Sequence, residues 1–435
     1  MYVIMNHNMK VRRVAGAMRD SNKIKFRRAG VSHQLPLARR EQTGTEISVD
    51  DLTEILKINV KKQIATAESG CSFVQVVQET LKHGLVPLVV PELKTITLGG
   101  AISGCSVESM SYKVGGFHDT CLECEIITTE GEILTCNRQQ NRELFEMVHG
   151  TFGTLGLVTA VTFRLTPAKP YVHLVYHQFD NLADFNRAIR HEYEKPTHDF
   201  MDGLIFSNQN FKLVMADFCD AAPYLSDYSG QKVFYKSVYE REEDYLRTED
   251  YFFRYDRDCH WISRNYGLEN PLLRATVGHW ALGSTNMLKF GKKFAKVMNR
   301  NPDVTVDTMT SFQRFPELFE WYDQEIGAYP VWIVPYKIPK MYPWINPEFV
   351  EGDEKLYIDL ATYGVPVPAG KNYYEMIDAE LMKLHGIKTL ISVNNYDEKT
   401  FWQIFNKKEY DKIKKRFDPQ NKFPNLYHKV HRSKA

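Results

Sequence analysis

Gly99, Gly100, Gly104, Gly115 and Gly116 fall within 18 residues of one another, in the segment PELKTITLGGAISGCSVESMSYKVGGFHD. Backbone without Cβ atoms turns through positive φ at little cost and brings several N–H groups up to a single anion. Thr97, Ser103, Ser106, Ser109 and Ser111 add hydroxyl donors. A pyrophosphate needs that many donors and leaves no room for side chains, so Thr97–Gly104 reads as a loop that holds a dinucleotide by its phosphates. The spacing excludes two other phosphate motifs. No Gly-Lys-Ser/Thr follows, as a P-loop requires, and GGAISG lacks the G-x-G-x-x-G spacing of the NAD-type turn. Taken alone, the glycines leave a plainer alternative open, a set of tight turns at a sheet edge.

A chain of 435 residues is long for one core, so two domains are expected. Pro167 and Pro170 punctuate the pattern and set the boundary: residues 1–170 form the dinucleotide-binding domain and 171–435 a substrate or cap domain, with the C-terminal segment free to return to the first. With 43% hydrophobic and 25% charged residues the composition is that of a folded domain rather than a disordered one. A net charge of +1 argues against a dedicated nucleic-acid binder. The bases are concentrated at the ends, between Met1 and Arg40 and between Lys407 and Lys434, where they would serve peripheral membrane contact, neutralise phosphates, or simply be solvated. Seven cysteines without framework spacing suggest a reducing compartment, and no apolar run reaches the ~18 residues that span a bilayer. A cytoplasmic protein, with membrane association at its surface, is the expectation.

Along the chain, the first 30 residues give weak periodic signals. Lys61–Glu68 alternates as a strand. Ser72–His83 carries apolar residues at helical spacing and is stopped by Gly84. Leu85–Val90 is a short strand. Cys121–Thr128 and Glu132–Cys136 read as strands joined by Glu130-Gly131. Glu143–His149 is helical, and Gly153–Leu165 is a glycine turn feeding a strand. Beyond residue 171 the pattern predicts strands at Tyr171–Tyr176, Leu204–Phe206, Val331–Pro335, Leu356–Leu360 and Thr389–Val393. Helices are predicted at Leu182–Glu194, Asn286–Met298, Tyr373–His385 and Lys399–Phe405.

Thr97-Leu98-Gly99-Gly100, Gly104, Ser111-Tyr112-Lys113-Val114-Gly115 and Asp119, with Glu130-Gly131, the turn Gly153-Thr154-Leu155-Gly156-Leu157-Val158 and the closing Phe417-Asp418-Pro419, resemble the vanillyl-alcohol-oxidase (PCMH-type) flavoproteins. Within that family the chain is similar to the delta-24-sterol reductase branch. Pro91-Glu92-Leu93, GGAISGCSVESMSYKVGGF, Thr166–Val172, Tyr329-Pro330-Val331-Trp332 and Leu356–Gly364 carry that likeness. The resemblance implies an α+β protein: a two-subdomain PCMH-type FAD-binding fold followed by an α/β cap domain with an antiparallel sheet. It implies FAD as cofactor, NADPH as reductant and a lipid-like small-molecule substrate. It assigns cofactor contacts to Gly30, Ser32, His33, Pro91, Thr97, Leu98, Gly99, Gly100, Ser103, Gly104, Ser109, Tyr112, Gly115, Gly153, Gly156 and Val158. His33 stands near the position where some members tether FAD covalently, although the sterol branch generally lacks the tether. In this chain the first loop, Arg28–His33, is reached after fewer residues than in most members.

Hydride transfer also asks for a cation or N–H donor near the flavin and for a proton donor or acceptor at the substrate. Glu108, Lys113 and His118 are the candidates on the flavin side. On the substrate side they are Tyr336-Lys337, Asp359 with Tyr363, and Arg254, Tyr255, Arg257 and His260. Asp359 has a plainer reading as a turn cap, and Arg254 and Arg257 alternate with Asp256 and Asp258 as a solvated ion-pair face would. Cys121 and Cys124 lie three apart on a strand, which points them to opposite faces, so buried structural thiols are expected, and no metal-ligand spacing is present. Two activities fit these readings: reduction of a C=C bond in a sterol-like or isoprenoid lipid, or oxidation of a hydroxyl on a sugar, alditol or lipid-linked sugar. A flavin fold that has lost catalysis and only binds is the non-enzymatic alternative.

Overall fold

The computed structural model describes residues 6–28, 44–287 and 303–431. Gly30, Ser32, His33, the loop expected at Val31–Gln42 and most of the helix expected at Asn286–Met298 lie outside these residues. Two antiparallel sheets dominate. The first is built from β3 (Ile55–Asn59), β4 (Ile64–Glu68), β8 (Leu157–Pro167), β6 (Cys121–Ile127) and β7 (Ile133–Asn137) in that order, with β5 (Leu85–Pro87) paired to β8. A parallel pair, β1 (Ile24–Arg27) and β2 (Thr45–Ser48), precedes it. The second sheet has eight strands in the order β12 (Glu243–Arg247), β9 (Tyr171–Phe179), β11 (Asn210–Cys219), β10 (Phe200–Ser207), β14 (Val331–Lys337), β15 (Leu356–Val365), β13 (Val304–Ser311) and β16 (Ile387–Lys388). Among the described residues no helix is long and apolar enough to cross a membrane.

Local rules explain most elements. In the helix Phe73–Leu81 the Ser72 N–H donates to Gln75 Oε1 (3.0 Å), and Gly84, at φ +65°, supplies the left-handed turn that ends the segment. The hairpin β6–β7 closes through Gly131 at φ +80°, whose N–H reaches the Thr128 carbonyl. The basic N-terminus departs from the weak pattern expected of it. His7–Arg19 is a helix burying Val11, Val14, Ala15 and Met18, an i, i+3, i+4, i+7 stripe interleaved with arginines. Its Lys10 is buried between Glu54 (2.8 Å) and Glu68 (3.1 Å), so this part of the basic end is packed rather than a free arm. Thr389–Val393, expected as a strand, is a turn following the two-residue β16.

Cys121 and Cys124 correct a second expectation. The register of β6 against β8 shifts between Cys121 and Glu123, so the strand gains one residue there. That bulge turns both thiols to the same side, 3.4 Å apart, and both are free and buried.

The large sheet has two unlike faces, because successive side chains alternate. Leu356, Ile358 and Leu360 of β15, Val331 and Ile333 of β14, and Val304 and Val306 of β13 share one core with the helices Leu182–Glu194, Phe315–Glu325 and Tyr373–Lys383. The opposite face presents Trp332, Val334, Tyr336, Tyr357, Asp359 and Tyr363 toward the first sheet and its loops. The last thirty residues run back onto the first sheet. Lys414 Nζ, buried, is held by the Asp418 carboxylate and by the carbonyls of Thr154 (2.9 Å) and Phe423 (3.0 Å). Asp418 also accepts from the backbone N–H groups of Lys422 (2.7 Å) and Phe423 (3.0 Å), and Lys422 Nζ reaches the carbonyls of Arg19 and Thr129 (both 2.9 Å). Removing one partner of such a pair strands a buried charge. Asp418→Ala is expected to lower stability by roughly 3–5 kcal/mol, read from the urea midpoint with the wild-type slope retained.

Candidate functional site

Thr97–Gly104 is not a loop. Thr97 caps a helix, Leu98–Gly104, by accepting from the Gly100 N–H (3.2 Å). The first-turn N–H groups, read above as phosphate donors, are tied within the chain: Leu98 to the Cys71 carbonyl (3.0 Å), Gly99 to Ser69 (2.8 Å) and Ala101 to Thr97 (2.9 Å). The glycines divide into two groups by what surrounds them. A Cβ on Gly99 would lie 3.0 Å from Ser69, on Gly115 2.4 Å from the Asp119 carboxylate, on Gly116 2.5 Å from His118 and on Gly156 2.7 Å from Ile126, so protein packing alone demands glycine there. Gly104 differs: its nearest atoms are Phe152 and Ile391, both at 3.9 Å, and Gly153 meets nothing closer than 3.8 Å. At Gly100 only the capping Thr97 hydroxyl is near, at 3.2 Å.

The Phe152 N–H donates to the Ser103 carbonyl (3.3 Å), which joins the glycine helix to the turn at Gly153. Gly104 and Gly153 thus bring partly exposed bare backbone together beside Phe152 and Ile391, without the close contacts that surround Gly115 and Gly116. Backbone of this kind fits a flat or phosphorylated group such as FAD. Leu98, Pro91 and Val158 are buried.

The segment after the helix crosses to the second domain and takes four candidates with it. Tyr112 is buried, its hydroxyl donating to Glu192 (3.0 Å) and to the His198 carbonyl. Lys113 Nζ donates to the same carbonyl (2.9 Å). The Met201 N–H donates to the Ser109 carbonyl (2.9 Å), and the Ser109 hydroxyl lies 3.0 Å from that of Tyr251. These residues fasten the two domains.

Glu108 meets Arg254, which is buried and not on a solvated face. Arg254 Nη2 lies 3.1 Å from Glu108 Oε1, in ion-pair range without a directed hydrogen bond, and donates to Asp202 Oδ2 at 3.0 Å. Asp202 also accepts from Trp332 Nε1 (2.7 Å). One guanidinium thus serves two carboxyl groups in a dry site. Burial outweighs the Arg254 charge and pushes the Glu108 carboxyl up to about 7. Asp258, on the same segment, pairs with the buried Arg274 (2.6 Å).

His118 is enclosed by Tyr342 (5.0 Å between ring centres), Trp344 (5.7 Å) and His149 (6.0 Å). Burial depresses its basicity, and neither ring nitrogen makes a hydrogen bond, although Asp119 Oδ2 lies 3.3 Å away. Asp119 accepts from the Gly116 N–H (2.9 Å) and the Tyr342 hydroxyl (2.6 Å). Tyr342 and Trp344 stack at 4.4 Å and come from the β14–β15 connection, which the sequence pattern left unassigned.

On the inner face of the large sheet, Asp359 lies mid-strand and buried, not at a turn. Tyr363 donates its hydroxyl proton to Asp307 (2.6 Å) and stacks on His260 (4.1 Å), which reaches Glu92 (3.5 Å). Tyr336 packs with Tyr357 and Met309 beside Val107, whereas Lys337 falls on the outer register with Leu356. Asp202 and Asp307 escaped sequence reasoning because β10 and β13 were under-called; a lone acid inside Val304–Ser311 (VTVDTMTS) was the available signal. Among the described residues no metal-ligand cluster forms.

Glycine backbone free of close contacts at Gly104 and Gly153 suits a flavin nucleotide, and residues 1–137 match the FAD binding domain family. The chain is an FAD-dependent oxidoreductase with a PCMH-type FAD-binding domain. It is similar over nearly its whole length to the Delta(24)-sterol reductases: 27% identical over 419 residues to that of Rattus norvegicus, covering 91% of this chain and 79% of the relative. The Arabidopsis thaliana Delta(24)-sterol reductase is 25% identical over 430 residues, 88% of this chain and 76% of the relative. Cytokinin dehydrogenase 1 of Arabidopsis thaliana is 27% identical over 183 residues, only 41% of this chain and 32% of the relative.

Two outcomes test this geometry. Gly104→Ala is expected to fold with stability within about 1 kcal/mol of wild type and to bind FAD at least about tenfold more weakly, a loss of about 1.4 kcal/mol, by flavin fluorescence titration; Gly116→Ala is expected to be destabilised before any flavin is added. Glu108 holds its proton to higher pH when folded than when unfolded, so wild-type stability falls as pH rises from the usual carboxyl range to about 7. Glu108→Gln lacks that loss. It is expected to be more stable than wild type at pH 8 by on the order of 3 kcal/mol, with the advantage gone near pH 4, by thermal or urea unfolding.

Proposed function

We propose that this enzyme reduces an isolated C=C bond in a sterol-like or isoprenoid lipid, with NADPH as the reductant. The observation that carries this reading is that the likeness to sterol reductases runs through the second domain, which supplies the substrate side, and not through the flavin domain alone. The inner face of the large sheet supports it. Trp332, Tyr336, Tyr357 and Tyr363, all buried, line it with aromatic rings of the kind a flat apolar molecule packs against. Bound FAD would accept a hydride from the nicotinamide and pass it to the olefin. Of this chain's residues, Gly100, Gly104, Gly153 and Phe152 would hold and orient the cofactor, and the packed His118–Tyr342–Trp344 group would keep water from it. Lys113 and Tyr112 act at a distance, by fixing one domain against the other.

Anaerobic stopped-flow absorbance tests the reading. The flavin band is expected to bleach on mixing with NADPH and to recover on adding a Δ24-olefinic sterol. Bleaching by a sugar alcohol, with no response to NADPH, would move the assignment to hydroxyl oxidation.

A further inference from the structure

The inner face of the large sheet carries four buried carboxyls, and they are not equivalent. Asp244, at its edge, accepts from the Tyr228 hydroxyl and from Arg241 (3.4 Å). Asp202 is paired with Arg254 and with Trp332 Nε1. Asp307 accepts two hydroxyl protons, from Tyr363 (2.6 Å) and Thr389 (3.0 Å). Asp359, 2% exposed, has only a backbone N–H, that of Thr308, to support a negative charge, and its Oδ1 has no partner among the described residues. The residues opposite it in the sheet, Met309 and Val334, are apolar. The charges that act on it most strongly, Asp307 and Glu92, are both negative. An ionised carboxyl in that position lacks donors and is repelled by its neighbours, so the neutral form prevails. Burial, then Asp307, then Glu92 hold the group well above the usual carboxylate range. A carboxylic acid kept neutral in this way retains an O–H to give.

A second observation marks the same place. Cys259 and His260 both adopt left-handed backbone, at φ +45° and +66°. Non-glycine residues hold such angles at a cost, and they do so where surrounding structure enforces it. The effect is to lay His260 on Tyr363 at 4.1 Å, with its Nδ1 buried and without a partner. Glu92, partly exposed, meets His260 at 3.5 Å, and on the other side of the His260–Tyr363 stack the Tyr363 hydroxyl donates to Asp307.

We propose that Asp359 is the general acid of the olefin half-reaction. This inference rests on the reductase reading above. The hydride brought from the reduced cofactor forms a C–H bond at one carbon of the C=C. The π electron pair takes the Asp359 proton to form the second C–H bond at the other. Oxidised FAD, the saturated product and an Asp359 carboxylate result, and the carboxylate is reprotonated by solvent protons before the next turnover.

The test uses the full-length holoenzyme carrying Asp359→Asn, isosteric with the neutral acid. Flavin reduction by NADPH is expected to stay within about threefold of wild type, and reoxidation by a Δ24-olefinic sterol to slow by about 10²–10⁴-fold. On the cofactor-free protein at pH 7, the infrared difference spectrum of wild type minus Asp359→Asn is expected to contain a protonated-carboxyl C=O band, the Glu108 contribution being common to both and cancelling. Asp307→Asn gives an independent readout. With Glu92, His260, Tyr336 and Tyr363 left in place, loss of the Asp307 charge eases ionisation of Asp359. The alkaline limb of the reoxidation rate is then expected to move down by about one pH unit, the size of effect a neighbouring charge exerts. Wild-type enzyme reoxidised by the sterol, with Asp359→Asn equally fast, overturns this inference alone, as does an unmoved limb in Asp307→Asn or a difference spectrum without a protonated-carboxyl band. Wild-type flavin that NADPH reduces and no olefinic sterol reoxidises overturns both this inference and the reductase reading.

Discussion

Arg254 carries a single positive charge between Glu108, which arrives from the flavin domain, and Asp202, which stands on the large sheet, with almost no water about any of them. Opposite charges at about 3 Å in a dry interior interact strongly, but the cost of taking them out of water is of the same order. What such a triad supplies is definition of position. The segment after the glycine helix and the large sheet can approach in few other ways without stranding a charge. Trp332, bonded to Asp202, and the aromatic rings stacked beside it are thereby fixed in place. Tyr112, Lys113 and Ser109 reinforce the same docking through carbonyls and carboxylates of the second domain.

Much of this was legible in the residues themselves. The helix stopped by Gly84, the hairpin at Glu130-Gly131 and the strands Tyr171–Tyr176, Val331–Pro335 and Leu356–Leu360 follow from periodicity and turn chemistry, and they are present. The N-terminal helix was hidden because its apolar stripe is threaded between arginines whose charges dominate a quick reading. The glycine segment misled in a more instructive way. Glycines required for close packing, such as Gly115 and Gly116, look the same in sequence as glycines free of close contacts, such as Gly104. Only the third dimension distinguishes a Cβ that would strike Asp119 from one that would make ordinary contacts.

The candidate site was legible as a set of residue types and not as an assembly. Asp359, Tyr363, His260 and Arg254 stood out as chemistry-bearing side chains. Their partners Asp202, Asp307 and Glu92 come from strands and loops far away in the chain, and sheet register, which no local pattern encodes, puts them together. The thiols of Cys121 and Cys124 teach the same point at small scale. One inserted residue in β6 reverses a side chain's direction and converts two strangers into neighbours.

The return of the final thirty residues to the first sheet bears on how the protein is made. Lys414, Asp418 and Lys422 complete hydrogen bonds to carbonyls at Arg19, Thr129 and Thr154, positions synthesised several hundred residues earlier. A ribosome that has released only the amino-terminal portion holds an unfinished surface whose acceptors still wait for their lysines. Closure of the first sheet therefore waits for residues 407–423 to emerge, and a chain lacking them would leave its beginning unsealed as well.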